Sequence, residues 1–362
     1  AFYYIPKGTT DKALASRQPK VSFYTNYSYL VAGSLLYKDQ RTMSELAGGA
    51  IGRATLYAKG ATEDQAMAFL QPSRKSSKST YMKVLSLFDG MSCGRVALES
   101  LQKKVDVYYA SEIDVFAIEN TQHNFPDTIQ LGDIRGWRDW NIDWDGIDLV
   151  LAGSPCQGFS SLGRKKGLHD ERSGLVFVFF DILNYVMSKD PNVKFLLENV
   201  KMDTNIESII TNALGVEPIT INSKLVSAQN RVRMYWTNIN NGKIPQPVDR
   251  GLLLKDVIMT NVDSRYFFTK YTTYRIMTEY PSSAKSVLDK SRCLTTGCGR
   301  NVGGRGSYLV QNGGIRRLTV RECARLQTIP EEYEFVVPEG EAYKLIGNGW
   351  TVEVIKHILS YA

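Results

Sequence analysis

Two short stretches carry residue types that could do chemistry together. GSPCQGFS, residues 153–160, sets Cys156 after a proline at the exit of the apolar run Asp148-Leu149-Val150-Leu151-Ala152. LLENV, residues 196–200, sets Glu198 near the end of a second apolar run. A structural cysteine belongs inside a strand as a small hydrophobe. One at a strand's exit stands on the edge where open α/β sheets bind ligands, and strand ends of a parallel sheet share that edge, so Cys156 and Glu198 are expected to face one pocket. A protease would want a histidine base beside the thiol, yet His123, His169 and His357 lie in no comparable motif. A thiol and a carboxyl suit attack on an electron-poor ring: the thiolate adds to one carbon while the acid hydrogen-bonds or protonates a ring nitrogen. Free cysteine has a pKa of about 8.5, so nearby positive charge would help. Gln229-Asn230-Arg231-Val232-Arg233 supplies two arginines on one face if extended; alone, that pattern also reads as a surface strand.

A second constellation lies upstream. Phe88-Asp89-Gly90-Met91-Ser92-Cys93-Gly94 follows an apolar run, and its glycines let backbone turn tightly and approach a ligand at a helix N-terminus. It lacks the Lys-Ser/Thr of a phosphate loop and the full dinucleotide fingerprint. Glu112 ends the next apolar run, 22 residues past Gly90, where doubly wound folds place an acid that holds ribose hydroxyls. Asp133 ends a third run, placed to accept from an adenine amino group. Together these suit a nucleoside cofactor without a pyrophosphate, and S-adenosylmethionine fits, although many Gly-rich turns bind nothing.

The elements that must position these residues alternate. KVLSLF (83–88), VDVYYASEI (105–113), TIQLGDI (128–134), DLVLAG (148–153) and KFLLENV (194–200) read as strands. Arg95 to Leu101, GLVFVFFDILNYVM (174–187), TVRECARLQ (319–327) and TVEVIKHILSYA (351–362) read as helices. The expected fold is α/β, a Rossmann-like, doubly wound, mostly parallel sheet. Residues 237–315 break the rhythm and are rich in Gly, Arg, Asn and Tyr. Residues 41–70 resemble a small helix-turn-helix, with a three-helix packing module fitting as well, and 71–81 read as a Ser/Lys-rich linker.

Composition bounds the classes. The 362 residues are 43% hydrophobic and 22% charged, as in soluble globular proteins, with no apolar run near the ~20 residues of a membrane span and no signal-peptide pattern. The chain starts with Ala, and Met82 is a candidate internal start. Five cysteines make no disulfide framework, so reduced thiols and a cytoplasmic setting are expected. Cys293 and Cys298 lack a second ligand pair, so no metal is expected; with Cys93 and Cys323 they read as structural or incidental. The +7 charge is uneven: residues 1–82 hold 11 basic against 5 acidic residues, 237–317 hold 13 against 5, and the rest hold 20 against 27. Two basic blocks fit contact with a polyanion, or two solvated basic faces.

Taken in order, FDGMSCG, ASEID, LGDI, GSPCQGFS, LLENV, QNRVRMYW, RLTVRECARLQTIP and LIGNGW resemble the ordered motifs of the cytosine-carbon-5 DNA methyltransferases, over residues 83–362. The flavour is that of phage and bacterial restriction-modification enzymes with a short recognition region, related to the vertebrate de novo enzymes. The resemblance implies a catalytic and cofactor domain at 83–236 and 316–362, a target-recognition region at 237–315, and a basic N-terminal segment at 1–81. It implies that Cys156 adds to carbon 6 of a flipped-out cytosine, Glu198 contacts ring N3 and the exocyclic amine, Arg233 binds O2, and Arg231 supports the pocket. Pro155 and Asn199 would position the catalytic loop and base, with Gln157 and Ser160 on the loop that closes on DNA. Phe88, Asp89, Gly90, Met91, Ser92, Cys93, Gly94, Glu112, Ile113, Asp133, Ile134, Pro155, Asn348, Gly349 and Trp350 would form the S-adenosylmethionine cleft. The family often has a small hydrophobic residue after Gly-Asn in its last motif; here Gly349-Trp350 follows, and Trp350 is expected to pack on the cofactor. Arg292, Arg300 and Arg305 are the candidate DNA contacts, and the partner is double-stranded DNA. A tRNA cytosine methyltransferase on the same fold and a catalytically silent DNA-binding homologue are the rival readings.

Overall fold

The central apolar runs form strands because they are buried on both faces, as helices flanking a parallel sheet require. β1 (Met82–Leu87), β2 (Val105–Ser111), β3 (Ile129–Gln130), β4 (Leu149–Gly153) and β5 (Lys194–Val200) are parallel neighbours in the order β3-β2-β1-β4-β5. β6 (Ile219–Asn222) and β7 (Val232–Thr237) complete a seven-stranded sheet, with β7 antiparallel between β5 and β6. Strand order reverses between β1 and β4, which makes the carboxyl ends of these two strands the ligand crevice of a doubly wound fold. This computed structural model describes residues 81–155, 174–299 and 306–362. The expected helix-turn-helix and linker lie outside the described residues, as do Cys156, Gln157, Ser160, Arg300 and Arg305.

The period-two alternation of strands divides the core. Val84, Leu149, Leu151 and Leu196 join one cluster with Val96 of α1 (Cys93–Ser100) and Ile355 of the last helix, while Leu85, Val150 and Leu197 are equally buried on the opposite face. α2 (Val115–Asn124) starts under a side-chain cap from Asp114. α3 (Leu175–Lys189) buries Phe179, Ile182 and Val186, the expected buried-face helix. α4 (Thr204–Leu214) follows β5. The third strand is much shorter than expected: Gly132 turns the chain at φ +72°, and Asp133 caps a 3-10 helix over Ile134–Asp139.

Between β7 and the C-terminal helices lies a smaller sheet, β8 (Ala284–Lys285), β9 (Tyr308–Gln311) and β10 (Gly314–Arg317), beside α5 (Lys270–Glu279). Its core is Ile276, Tyr308 and Ile315, with Phe268 packed against it, so the aromatic run Tyr266-Phe267-Phe268 contributes core here. Arg316 and Glu322 form an ion pair of 2.7 Å with neither side chain exposed, joining β10 to α6 (Val320–Leu326). α7 (Glu339–Asn348) and α8 (Val352–Leu359) end the chain, α8 packing on α1. Among the described residues no helix is long and apolar enough to cross a membrane.

Candidate active site

The half of the edge where the cofactor is expected is built by one loop. Between β1 and α1, Phe88, Gly90 and Ser92 all take left-handed backbone, with φ of 57°, 58° and 62°. For a bulky residue such as Phe88 this is strained and persists only where surrounding bonds impose it. Those bonds centre on Asp89. Its Oδ1 accepts from Ser86 Oγ at 2.5 Å and Tyr108 Oη at 2.8 Å, and its Oδ2 accepts from the Ser92 hydroxyl. The residue is partly exposed but the carboxylate turns inward. Burial pushes it up to about 6, against the opposing pull of the three hydroxyls.

Glu112 stands just past β2. Its Oε2 accepts from Gly90 N at 2.8 Å, and its Oε1 from the N–H groups of Ile113 and Asp114. The strand end and the glycine loop are thereby locked together. Ile113 is 68% exposed, an apolar side chain held out at the mouth. Asp133 is held by Arg135, whose hydrogen bond keeps its carboxyl below the usual range. Met91 and Ile134 are buried, and Asn348 is exposed at the end of α7. A Cβ on Gly90 would meet nothing within 4 Å. Open space, carboxylates suited to hydroxyl and amino donors, and the apolar Phe88 and Ile113 fit a nucleoside with a short polar tail.

The half where the base is expected is built by long-range bonds. Parallel register sets Gly153 opposite Glu198, so the strand that leads into Pro155 and Cys156 leaves the sheet beside the carboxylate. Asn199 fixes that exit: its Nδ2 donates to Ser154 Oγ at 2.8 Å. Because β7 runs antiparallel to β5, its first residues enter the sheet where β5 leaves, and Arg233 pairs with Val200. Arg233 Nε meets Glu198 Oε1 at 2.9 Å, with Glu198 only 8% exposed. Burial pulls the Arg233 guanidinium down, but the Glu198 charge and Cys293 outweigh it and the net shift is upward.

Arg231 is buried and bridges three segments of backbone. Its Nη1 donates to Leu294 O at 2.7 Å, and its Nη2 to Gly347 O at 3.2 Å and Gly349 O at 2.8 Å. Burial, then the neighbouring Arg233, lowers its pKa. Two contacts escaped the sequence reading, which takes Cys293 as structural or incidental and Trp350 as a cofactor contact. Cys293 Sγ accepts from Arg231 Nη1 at 3.5 Å and from Arg233 Nη2 at 3.8 Å, so this cysteine lies against both guanidiniums. Trp350 Nε1 donates to Glu198 Oε2 at 3.1 Å. No spacing rule links positions so far apart in the chain. Arg292, the candidate DNA contact among the described residues, is half-buried and donates to Ser283 Oγ at 2.7 Å.

The profile of the C-5 cytosine-specific DNA methylase family matches residues 82–289 and 255–361. The chain is 30% identical over 320 residues to the type II methyltransferase M.HhaI of Haemophilus parahaemolyticus, covering 78% of this chain and 95% of that one. It is 31% identical over 313 residues to the type II methyltransferase M.Bsp6I of a Bacillus strain, covering 76% and 97%. Among solved structures, the S. pombe Dnmt2 methyltransferase superposes with a TM-score of 0.62 at 20% identity, covering 77% of this chain and 97% of that one. The Entamoeba histolytica methyltransferase EhMeth gives 0.63 at 18%, covering 78% and 97%. Both share the sheet-and-helix fold described above. With a fold of that class, the ordered motifs on its carboxyl edge and a profile match over most of its length, the chain belongs to the C-5 cytosine-specific DNA methylases and is a DNA (cytosine-5-)-methyltransferase.

Proposed function

We propose that this enzyme takes a cytosine out of duplex DNA, because its ring carbons cannot be reached in the stack, and methylates carbon 5 with S-adenosylmethionine as donor. The observation that carries the residue roles is the Glu198 carboxylate, held by Arg233 and Trp350 beside the exit of β4. Phe88, Gly90, Glu112, Ile113, Asp133 and the 348–350 segment hold the cofactor. Glu112 accepts from ribose hydroxyls and Asp133 from the adenine amino group. Bound there, the cofactor supplies an electrophilic methyl group on a sulfonium.

Cys156, as thiolate, adds to carbon 6 of the cytosine, and the ring's electron pair moves to carbon 5 while Glu198 hydrogen-bonds N3 and the exocyclic amine. Arg233 holds O2. After carbon 5 is methylated, a base, in this reading water, removes its proton, the ring double bond re-forms and the Cys156 sulfur leaves. Asn199, through Ser154, positions the root of the loop that carries Cys156 and Gln157. Ser160, Arg292, Arg300 and Arg305 contact DNA; an arginine bidentate to guanine is the common specific contact, and phosphate contacts use the same residue type.

The test is nucleoside mass spectrometry on unmethylated duplex DNA, and on tRNA, incubated with enzyme and S-adenosylmethionine, beside Cys156→Ser. The expected outcome is 5-methyldeoxycytidine from the native enzyme and none from the variant. Product on tRNA alone would overturn the duplex substrate, and unchanged product from Cys156→Ser would overturn the covalent role.

A further inference from the structure

One side chain touches both halves of the site. The segment that carries Trp350 packs on the Cys93 sulfur at the start of α1, which would stand 3.2 Å from a Cβ on Gly349. The Trp350 indole fills the space left by Gly153, where a Cβ would stand 2.8 Å from Nε1, and its Cζ3 edge lies 3.6 Å from where a Cβ on Gly94 would stand. Its Nε1–H reaches Glu198 Oε2 at 3.1 Å. The flanking backbone is fixed, with Gly349 O accepting from Arg231 and Gln327, and Thr351 Oγ1 donating to Gln327 Oε1 at 2.9 Å. The ring is therefore mounted rigidly from the cofactor loop to the base carboxylate.

We propose that Trp350 is a positioning residue that sets the Glu198 carboxylate for the cytosine and couples that setting to occupancy of the cofactor cleft. A carboxylate offers about four lone-pair sites. Arg233 takes one on Oε1 and Trp350 takes one on Oε2. The carboxylate plane is then fixed, and two sites remain: one accepts from the cytosine's exocyclic amine, and the other carries the proton that the carboxyl, once protonated, donates to N3. A ligand that shifts the loop at Cys93 and Gly94 moves the backbone and ring of Trp350, and with them the hydrogen bond on Glu198. An aliphatic residue at this position could fill the space left by Gly153 but could not donate to the carboxylate. The inference rests on the reading of Glu198 as the base-binding group.

The experiment compares the full chain with Trp350→Phe, Glu198→Gln and the double variant. Three quantities are read: affinity for S-adenosylhomocysteine by calorimetry, release of tritium from carbon 5 of labelled duplex DNA without cofactor, and the tightening of target-DNA binding by S-adenosylhomocysteine. Trp350 is itself among the residues read as holding the cofactor, so the affinity of Trp350→Phe for S-adenosylhomocysteine is measured first and the tightening is compared at saturating S-adenosylhomocysteine. A lost hydrogen bond to a charged group predicts tritium release slower by roughly 10- to 100-fold, together with loss of the tightening. In the Glu198→Gln background, Trp350→Phe is expected to change the tightening by less than about 2-fold. Gly153→Ala, which presses on the indole from β4 and leaves Trp350 in place, is expected to reproduce the pattern should Trp350→Phe fold poorly. Native-like tritium release and tightening in Trp350→Phe would overturn the proposal. So would equal losses with and without Glu198, which would make the indole packing alone. A native enzyme that neither methylates DNA nor releases tritium would instead overturn the reading of Glu198, and the proposal with it.

Discussion

The two halves of the site are built by opposite means. In the cofactor half the partners are near in sequence: Asp89 gathers Ser86, Ser92 and Tyr108, and Glu112 holds Gly90 and the two residues that follow it. In the base half the partners come from distant segments: Glu198 takes Arg233 and Trp350, and Arg231 reaches Leu294, Gly347 and Gly349. The first half is a strained local turn secured by its own side chains. The second exists only when the sheet, the 293–295 segment and the end of α7 have come together. Damage to the base half should therefore spread through the fold, while damage to the cofactor half should stay local.

Arg231→Ala is the largest break. It takes the guanidinium from the buried carbonyls of Leu294 and Gly347, at about 1–3 kcal/mol each, leaves Gly349 O with Gln327 alone, and opens space where the guanidinium lay. A loss of roughly 3–5 kcal/mol in denaturant unfolding is expected, with activity falling alongside it. A loss under about 1 kcal/mol would show that the three segments are held by something else.

Glu198→Gln separates function from that scaffold. The amide keeps the shape of the side chain and an oxygen for one donor, so stability should change far less than in Arg231→Ala. Proton and charge roles of a positioned carboxyl are worth about 10²–10⁴-fold, so kcat for methyl transfer is expected to drop at least 100-fold while S-adenosylmethionine affinity stays near native. Single-turnover methylation on duplex DNA measures the first, and calorimetry the second.

The same contrast explains what was legible beforehand. The loop from Phe88 to Gly94 and the acids Glu112 and Asp133 stand out because local structures leave local signatures: a glycine where φ turns positive, an acid where a strand ends. The apolar runs at 83–88, 148–153 and 194–200 announced central strands because burial on both faces permits little else. TIQLGDI misled because its apolar residues continue past the point where Gly132 turns the chain. Arg231 and Arg233 were visible as a pair, but not that one would bridge the backbone through carbonyls at 294, 347 and 349. Cys293 read as incidental, since only the folded chain brings it to the two guanidiniums. Trp350 departs from the usual residue in its motif and is expected to pack on the cofactor; its bond to Glu198 depends on Gly153 leaving room for the ring, which no local pattern encodes.

Asp89 gives the cofactor half a pH signature. Its carboxyl titrates near 6 in the folded chain against 3.8 ordinarily, because burial disfavours the charged form. The folded state therefore holds its proton more tightly than the unfolded state. The associated stability is fully present below about pH 4 and is lost as pH rises through 6. The two values differ by about two units, or about 3 kcal/mol between the ends of that window. Carboxyls held low by partners, such as Asp133 and Glu353, give the opposite slope, so the comparison must be with Asp89→Asn. Relative to that variant, the native chain should lose up to about 3 kcal/mol between pH 4 and pH 7 in urea unfolding. A constant difference across the window would mean that Asp89 stays ionised throughout.

The smallest expected effect on the fold sharpens the comparison most. Gly90 has φ +58° and open space where a Cβ would go. Alanine there has no clash to relieve but must hold a left-handed backbone, a cost of about 1–2 kcal/mol. Asparagine tolerates that backbone better, so Gly90→Asn should cost less than Gly90→Ala in unfolding. Cofactor affinity should rank the two the other way if the open space is where the nucleoside sits, because asparagine projects further into it. The two orders can be read from one pair of variants, by urea unfolding and by S-adenosylhomocysteine calorimetry. If affinity instead follows stability, with alanine worse in both, the glycine serves only the turn and its bond to Glu112. The open side of the loop would then lie away from the ligand, and the apolar mouth at Phe88 and Ile113 would have to carry the nucleoside.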